Sequence, residues 1–309
     1  MPVSVAEYLG IRTDSTKVIQ PISDLHTKPK LPCPFRNAHC LKTAKGQQPV
    51  CSVTDTRGQL WIVCEHRLCA TTPKTALLND HQKNMLHMVA KSVYGEDTEQ
   101  SSILFKREEP IPITATSDYK ADYIMWVDKP PKQSPFGSAR ACIVEMQGGG
   151  ETSGTEKLTA HLKNWASKSH TDNEFIRTPA NAGPLVTNAW RRQQEQFLVK
   201  GSVATLTGGR MVFCVGSLLY DYLIQRLTTT NLVDLKEHNW SLALLGFAVD
   251  NSATPPSCAP HSIQFKIDEQ RSLFTNYFSF VQALTNQGMP QPKIFAGIYD
   301  RFDGTKSTF

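Results

Sequence analysis

A regular apolar stripe predicts the first helix of the chain, over residues 79–95. Asn79 or Asp80 can cap its start, and Gly95 can end it in a left-handed conformation. The same spacing predicts further helices in the second half of the chain. The stripe of the first helix consists of Leu78, Met85, Val89 and Val93, and the later helices cover about 155–169, 188–206, 218–227 and a segment capped by Asp268.

Short apolar runs between these helices predict the strands of a buried sheet. The clearest is Ala141–Val144, a continuous apolar run of the kind expected in a strand that is covered on both faces. Strands and helices alternate from residue 79 onwards, so we expect an α/β or α+β fold. The predicted strands cover 101–105, 119–127, 139–147, 211–215, 242–249 and 263–267.

The cysteines divide the chain into two parts. Five of the eight lie between residues 33 and 69, whereas Cys142, Cys214 and Cys258 are scattered. Residues 1–75 contain many prolines, threonines and short polar stretches. This composition predicts a small, loop-rich module that needs additional stabilisation, for example by a metal ion. Residues 76–309 would form a second, larger domain.

Composition and charge limit the possible classes of protein. The chain has 309 residues, of which 40% are hydrophobic and 20% charged, which is typical of a globular protein and excludes a disordered one. The net charge of +5 is compatible with a nucleic-acid partner but does not require one. The first residues lack the pattern of a secretory signal, and the longest apolar runs are about half as long as a bilayer requires. We therefore expect a cytoplasmic protein with no membrane partner.

Four cysteines are candidates for a structural metal site. Cys33 and Cys40 are separated by six residues, and Cys51 and Cys64 by twelve. Four thiolates can bind a tetrahedral zinc or iron ion, and such an ion can fold a small module. The compact CxxC spacing is missing, so free buried cysteines are the alternative. Cys69 is a spare thiolate, and His39 and His66 are possible substitutes.

Two carboxylates on neighbouring predicted strands form a candidate catalytic site. Residues alternate between the two faces of a strand, so Glu145 and Gln147 point the same way, and a hairpin can bring Asp122 alongside Glu145. Two carboxylates so placed can bind a divalent cation that polarises a phosphodiester and activates a water molecule. The alternative is that both carboxylates merely end two strands at the solvent edge.

The predicted helix over 188–206 carries a polar face suited to DNA. Steps of four residues return to one face of a helix, and Asn, Arg and Gln side chains can contact base edges and phosphates. The alternative is a solvated face opposite the apolar stripe of the same helix. The candidate DNA-binding residues are Asn188, Arg191, Arg192, Gln196 and Lys200.

The order of these motifs resembles that of the NotI-type (NotI/EagI-like) type II restriction endonucleases of the PD-(D/E)XK superfamily. The resemblance spans about residues 31–215, and its motifs are specific in combination. From about residue 216 onwards there is no clear match. The motifs are Cys33-Pro-Phe, Cys51-Ser-Val, Ile62-Val-Cys64, Arg67-Leu68, Glu145-Met-Gln147 and the segment Gly183–Lys200.

The resemblance implies a nuclease domain over 76–309, a mixed sheet flanked by helices, with glutamine where lysine is usual. Such an enzyme works as a homodimer and hydrolyses phosphodiester bonds in a GC-rich palindromic site of double-stranded DNA. Asp122 and Glu145 would bind the catalytic Mg²⁺ with Gln147 beside it, and Glu108 or Glu109 would be an upstream acid. Iron or zinc would occupy the site formed by Cys33, Cys40, Cys51 and Cys64.

Two other functions are compatible with parts of the sequence. A DNA-binding regulator could use the four-cysteine module and the basic helix without cleaving DNA. A nuclease of repair or mobile-element origin would share the chemistry and differ in its partners. The acidic pair favours a nuclease, because a protein that only binds DNA has no need of clustered carboxylates beside phosphate.

Overall fold

Strands and helices alternate along most of the chain in the computed structural model, which describes residues 2–70, 76–111, 113, 119–129, 141–148, 150, 152–153, 155–168, 172–227, 232–286 and 296–308. The strands are β1 (Val3–Tyr8), β2 (Ile11–Arg12), β3 (Val50–Asp55), β4 (Leu60–Ile62), β5 (Ile103–Pro110), β6 (Lys120–Val127), β7 (Cys142–Gln147), β8 (Thr152–Ser153), β9 (Gly183–Pro184), β10 (Arg210–Gly216), β11 (Leu242–Val249), β12 (Phe265–Thr275), β13 (Ile298–Asp300) and β14 (Lys306–Thr308). The helices are α1 (Leu41–Ala44), α2 (Asp80–Tyr94), α3 (Thr155–Ala166), α4 (Glu174–Arg177), α5 (Val186–Leu206), α6 (Ser217–Gln225) and α7 (Tyr277–Thr285), with 3-10 turns at Glu65–Leu68 and Gln100–Ser102.

A mixed sheet forms the centre of the fold. Within the described residues it has six strands in the order β12-β11-β10-β7-β6-β5. β7, β10 and β11 are parallel to one another, whereas β5, β6 and β12 run antiparallel to their neighbours. Nearly every residue of β10 and β11 is buried, as their continuous apolar runs predict. The expectation of an α+β fold with a mixed sheet flanked by helices is therefore confirmed.

The N-terminal residues form a second sheet, of order β2-β1-β3-β4, which shares its core with the rest of the chain. Val5 and Trp61 belong to the same hydrophobic cluster as Phe213 of β10. The backbone of Val3 also exchanges two hydrogen bonds with Ala180, at 3.1 and 2.8 Å. The boundary at residue 75 stays a prediction, but the segment before it packs directly on the central sheet.

A buried ion pair joins this N-terminal segment to the start of β12. Nε of Arg67 donates to Oε2 of Glu7 across 2.6 Å, and both side chains are fully buried. The second oxygen of Glu7 accepts from the backbone nitrogen of Ile263 at 2.9 Å. Breaking such a pair leaves an uncompensated charge in the interior and costs about 3–5 kcal/mol. The pair therefore stabilises the packing of the N-terminal segment against the chain just before β12.

Glycines at the end of β7 allow the N-terminal segment to approach the central sheet closely. A Cβ atom on Gly150 would lie 1.8 Å from the ring of Trp61, and one on Gly148 would lie 2.8 Å from the carbonyl oxygen of Glu65. The Gly150 nitrogen donates to the carbonyl oxygen of Ile62 at 3.0 Å. Only glycine fits this contact, which places Glu65 beside the carboxyl end of β7.

Local sequence signals predict α2 well and α7 poorly. Asn79 caps α2 by accepting from the backbone of Gln82, whose side chain accepts in return from the backbone of Asn79. Gly95 has a positive φ of 119° but an extended ψ, so it does not take the left-handed conformation that the sequence predicts. The predicted helix cap at Asp268 is wrong, because β12 continues along β11 as far as Thr275 and Asn276 caps α7 instead.

Two further expectations concern membrane association and the strand predicted over 139–147. Within the part of the chain that the structure describes, no helix combines the length and the apolar character needed to span a membrane. The first two residues of that predicted strand lie outside the described residues, and the strand itself begins at Cys142.

Candidate active site

Asp122 and Glu145 lie next to each other where β6 and β7 separate. The antiparallel register pairs Tyr123 with Val144, so the next position places Asp122 opposite Glu145. Their side chains there bond to the backbone of the other strand. The Asp122 nitrogen donates to Oε1 of Glu145 at 3.1 Å, and the Met146 nitrogen donates to Oδ2 of Asp122 at 3.0 Å. The structure thus brings the two carboxylates together, as a hairpin would.

Lys200 of α5 reaches the same point from the adjacent helix. Its Nζ donates to Oε2 of Glu145 across 2.7 Å, and the lysine side chain is 1% exposed. The prediction that Lys200 contacts DNA from an exposed helix face is therefore wrong. Lys200 follows Phe197 by three residues, which places it on the buried side of α5.

Close packing between α5 and α7 supports the position of Lys200. A Cβ atom on Gly201 would lie 2.1 Å from the ring of Tyr277, so glycine is needed for the two helices to approach. The hydroxyl group of Tyr277 donates to the carbonyl oxygen of Leu198, one turn earlier in α5. The lysine is therefore held by a helix that is itself fixed against a neighbouring helix.

A cavity of about 480 Å³, which we call the acidic cavity, opens beside this pair. Four carboxylates line it, and they come from four elements, namely the 3-10 turn at Glu65–Leu68 and the strands β5, β6 and β7. Gln147 also lines it, as the alternation of residues along β7 predicts. The four acids are Glu65, Glu108, Asp122 and Glu145.

Glu108 is better placed than Glu109 to be the upstream acid. The register of β5 and β6 pairs Arg107 with Tyr123 and Glu109 with Ala121, which leaves Glu108 opposite Asp122. Glu108 has a positive φ of 47°, a conformation that few residues other than glycine adopt. Such strain persists where surrounding structure imposes it, often at functional sites. Glu109 instead lies 3.5 Å from the ammonium group of Lys106.

Burial shifts the ionisation of both central carboxylates in the same direction. Burial and the nearby charge of Asp122 raise the pKa of Glu145 to about 8, although Lys200 opposes the shift. Burial likewise raises the pKa of Asp122, and the hydrogen bond from Met146 opposes it. The charges of Glu65 and Glu108 add to the upward shift of the Asp122 pKa. Two such groups ionise together readily only when a cation joins them.

The donor set at this point suits a magnesium ion bound in part by its substrate. Within the described ranges, no group of three or more His, Cys, Asp or Glu side chains is arranged to hold a metal ion. Mg²⁺ commonly uses only one or two carboxylates and completes its shell with water and phosphate oxygens. Asp122 and Glu145 fit that requirement, whereas a dedicated cage of protein ligands is not present among the described residues.

The N-terminal cysteines gather in one cluster. Cys33, Cys40 and Cys51 are buried together, and Cys64 packs against them. Burial raises the pKa of Cys33 to about 12 and also raises the pKa of Cys51 and Cys64. Thiols in this state are protonated, and the part of the chain that is described contains no metal-binding arrangement of them. The four-cysteine metal site therefore stays a prediction.

The remaining candidates for that site differ in position. Cys69 lies in another cluster, where its sulfur contacts the Tyr123 hydroxyl group at 3.3 Å, so it is not near the other four. Cys258, which the sequence shows as an isolated cysteine, packs against the cluster instead. His66 bonds to Arg36 beside the acidic cavity, and His39 is exposed.

The polar face of α5 is partly available to a large ligand. Arg191, Arg192 and Gln196 are exposed, and Asn188 is half-buried. Gln196 and its neighbour Gln193 also line the acidic cavity. The exposed face of α5 therefore continues into the cavity that holds the carboxylates. DNA contact by these residues stays a prediction.

Sequence reasoning missed the role of Lys200 and the contribution of the N-terminal segment to the cavity. One signal was available for the lysine, since it stands three residues after Phe197 on the apolar side of the predicted helix. No comparable local signal exists for Arg36, Glu65 and His66. Comparison with known proteins adds no identification, since no protein-family model and no curated protein matches the chain.

Proposed function

We propose that this protein is a type II restriction endonuclease of the NotI type, a PD-(D/E)XK enzyme. It would hydrolyse phosphodiester bonds in a GC-rich palindromic site of double-stranded DNA and require Mg²⁺. It would act in the cytoplasm as a homodimer, in which each subunit cuts one strand, because a two-fold protein matches a palindromic site.

One observation carries this proposal, namely the contact of Glu145 with both Asp122 and Lys200. Two carboxylates and an ammonium group meet at the end of a strand in a mixed sheet, beside an open cavity. The motif Glu145-Met-Gln147 has glutamine where the family's usual motif has lysine. The ammonium group of Lys200 supplies a positive charge at the carboxylate that Gln147 cannot supply.

The side chains divide the work of phosphodiester hydrolysis among them. Magnesium held by Asp122 and Glu145 would supply positive charge for the phosphate and would activate a water molecule. Lys200 holds the carboxylate of Glu145 in place from the buried side of α5. Gln147 can orient water through its amide group, which both donates and accepts hydrogen bonds.

The DNA duplex would approach along the exposed face of α5. Arg191 and Arg192 present guanidinium groups to solvent, and Gln196 leads from this face into the acidic cavity. Arginine contacts to phosphates position a protein on DNA, whereas glutamine can read a base edge. A purely DNA-binding regulator has no use for buried carboxylates with raised pKa values at this position.

The deciding experiment is the digestion of a sequenced plasmid by the purified protein with Mg²⁺ and with EDTA. Discrete fragments are expected with Mg²⁺, and their mapped ends give the recognition sequence and the position of the cut. Glu145→Gln and Asp122→Asn should each abolish cutting and keep DNA binding. Glu237→Gln is the matched control, since Glu237 is exposed and does not line the cavity. Cutting by Glu145→Gln at the wild-type rate would exclude the proposed site.

A further inference from the structure

An arginine from the N-terminal segment lies buried in the wall of the acidic cavity. Arg36 is 8% exposed and lines this cavity together with Glu65 and His66. It also lines a second cavity of about 580 Å³ beside Cys33, so its side chain forms part of the wall between the two. The N-terminal segment therefore adds a cation to a cavity that otherwise holds four carboxylates.

The partner of this arginine is a histidine. Nη1 of Arg36 lies 2.8 Å from Nε2 of His66. A guanidinium group can only donate, so Nε2 must accept and the ring proton must be on Nδ1. Nδ1 lies 3.4 Å from the carbonyl oxygen of Ala70, to which it can donate. His66 is thus oriented by the backbone, and it in turn holds the guanidinium group of Arg36.

The guanidinium group keeps unused donor capacity. Its Nε is buried and has no hydrogen-bond partner, and within the described residues Arg36 forms no ion pair with a carboxylate. A buried donor that is left unsatisfied costs free energy, and the cost is larger when the group is charged. A buried arginine held by a neutral partner is therefore suited to bind an anion that is absent from the free protein.

We propose that Arg36 binds a phosphate group of the DNA strand that enters the acidic cavity, and that His66 positions it for this contact. The planar guanidinium group matches the oxygens of a phosphate in pairs. Asp122 and Glu145 would be engaged with the metal ion and with Lys200. Glu65 lies 3.8 Å from Nε2 of His66, but its side chain is 57% exposed, so an entering phosphate remains the anion for Arg36. This inference rests on the proposed function, because it takes DNA as the ligand.

Salt dependence of binding tests the contact without relying on cleavage. The probe is a 30-base-pair duplex that carries the mapped site, or a GC-rich duplex if no site is found, with Ca²⁺ in place of Mg²⁺. Loss of one phosphate contact lowers the slope of log K against log[salt] by about 1. Arg36→Gln should show this change. The control Arg57→Gln should not, since Arg57 is 60% exposed, pairs with Asp55 and does not line the acidic cavity.

Single-turnover cleavage then separates a role in the reaction from a role in folding. Arg36→Gln should lower the rate by about 10²-fold, the scale of losing one preorganised donor at a reacting group. Arg36→Lys keeps the charge, so the salt slope should be retained while the rate falls. Added methylguanidinium should partly restore the rate of Arg36→Ala, which a merely structural role would not allow.

The possible outcomes distinguish this inference from the proposed function. If wild-type protein cuts DNA and Arg36→Gln keeps both the slope and the rate, the inference is wrong and the nuclease assignment stands. If neither wild type nor variant cuts DNA, but the slope of log K against log[salt] falls by about 1 in Arg36→Gln, the phosphate contact stands and the nuclease assignment fails. If wild-type protein binds no duplex, both fail. Should Arg36→Gln not fold, Arg36→Lys decides, and an unchanged rate in that variant overturns the inference.

Discussion

The ammonium group of Lys200 in α5 lies 2.7 Å from Oε2 of Glu145 in β7. Both side chains are buried. Glu145 is held at the same time by the backbone nitrogen of Asp122 through its other oxygen. Both oxygens of one carboxylate are therefore fixed by donors from two directions. A carboxylate so constrained can bind a cation with little loss of side-chain freedom.

We expect Lys200→Met to lower the rate of DNA cleavage by about 10²-fold or more, because Glu145 loses the donor that positions it and a small displacement of a catalytic group can cost that much. Lys83→Met is the matched control, since Lys83 also lies in a helix and pairs with an acid, but it is 51% exposed. Both variants should be compared with wild type in single-turnover cleavage and thermal unfolding. A Lys200→Met protein that is folded and cuts at the wild-type rate would show that the lysine is only structural.

Glu108 and Glu109 provide a test in which neighbouring residues differ in position. Glu108→Gln should lower the cleavage rate by about 10-fold or more. It should also weaken Mg²⁺ binding, so that more Mg²⁺ is needed for the half-maximal rate, because it removes charge from the acidic cavity. Glu109→Gln should retain activity, since this residue pairs with Lys106 on β5. Mg²⁺ titrations of the cleavage rate measure both effects. The reverse order of effects would identify Glu109 as the upstream acid.

The raised pKa of Glu145 predicts a pH dependence in the metal-free protein. The unfolded chain releases this proton near pH 4.5, whereas the folded protein keeps it until about pH 8. The stabilising contribution of the protonated carboxyl is therefore present below about pH 4.5 and lost by about pH 8, at about 1.4 kcal/mol per unit of pKa difference.

Thermal unfolding in EDTA between pH 5 and 8 measures this loss. The melting temperature of wild-type protein should fall more steeply with pH than that of Glu145→Gln, which lacks this carboxyl group. Mg²⁺ competes with the proton, so it should raise the melting temperature more at pH 8 than at pH 6. Identical pH profiles for the two proteins would exclude the shifted carboxyl.

The four-cysteine metal site is testable by elemental analysis of protein dialysed against magnesium buffer. We propose that the site takes up about one iron or zinc ion per chain, with folding free energy on the order of 10 kcal/mol. Cys51→Ser should lose the metal and the solubility of the protein. Cys69→Ser should keep the metal, because Cys69 contacts Tyr123 in a separate cluster. A wild-type protein that contains no metal and is fully active would show that the proposed metal site is wrong.

Cys258 also lies near the candidate metal site, although the sequence does not indicate this position. It packs against the cluster of Cys33, Cys40 and Cys51 from a loop before β12. A spacing argument treats it as isolated, because 188 residues separate it from Cys69 in the sequence. The contact arises only when the chain before β12 folds back over the N-terminal segment, so no local pattern can indicate it.

Periodicity predicted elements such as α2 and β11 because each depends on neighbours along the chain, whereas the strands β1–β4 of the expected loop-rich segment were not predicted. The apolar stripe and the capping residue Asn79 are sufficient for α2, and the buried run of β11 is sufficient for a core strand. The alternation along β7 and its hairpin with β6 also placed Asp122 beside Glu145. The helix start predicted at Asp268 is wrong because the pairing of β12 with β11 outweighs a local helix signal.

Tertiary structure alone decided which polar side chains surround that pair. Lys200 shares a helix with exposed Arg192, and its place three residues after Phe197 indicates the buried side. Its contact with Glu145 arises only from the packing of α5 against the sheet. Arg36 reaches the cavity because Gly148 and Gly150 admit the N-terminal segment to the end of β7. Such contacts join residues far apart in sequence, and their energy comes from burial and pairing that exist only once the whole chain is folded.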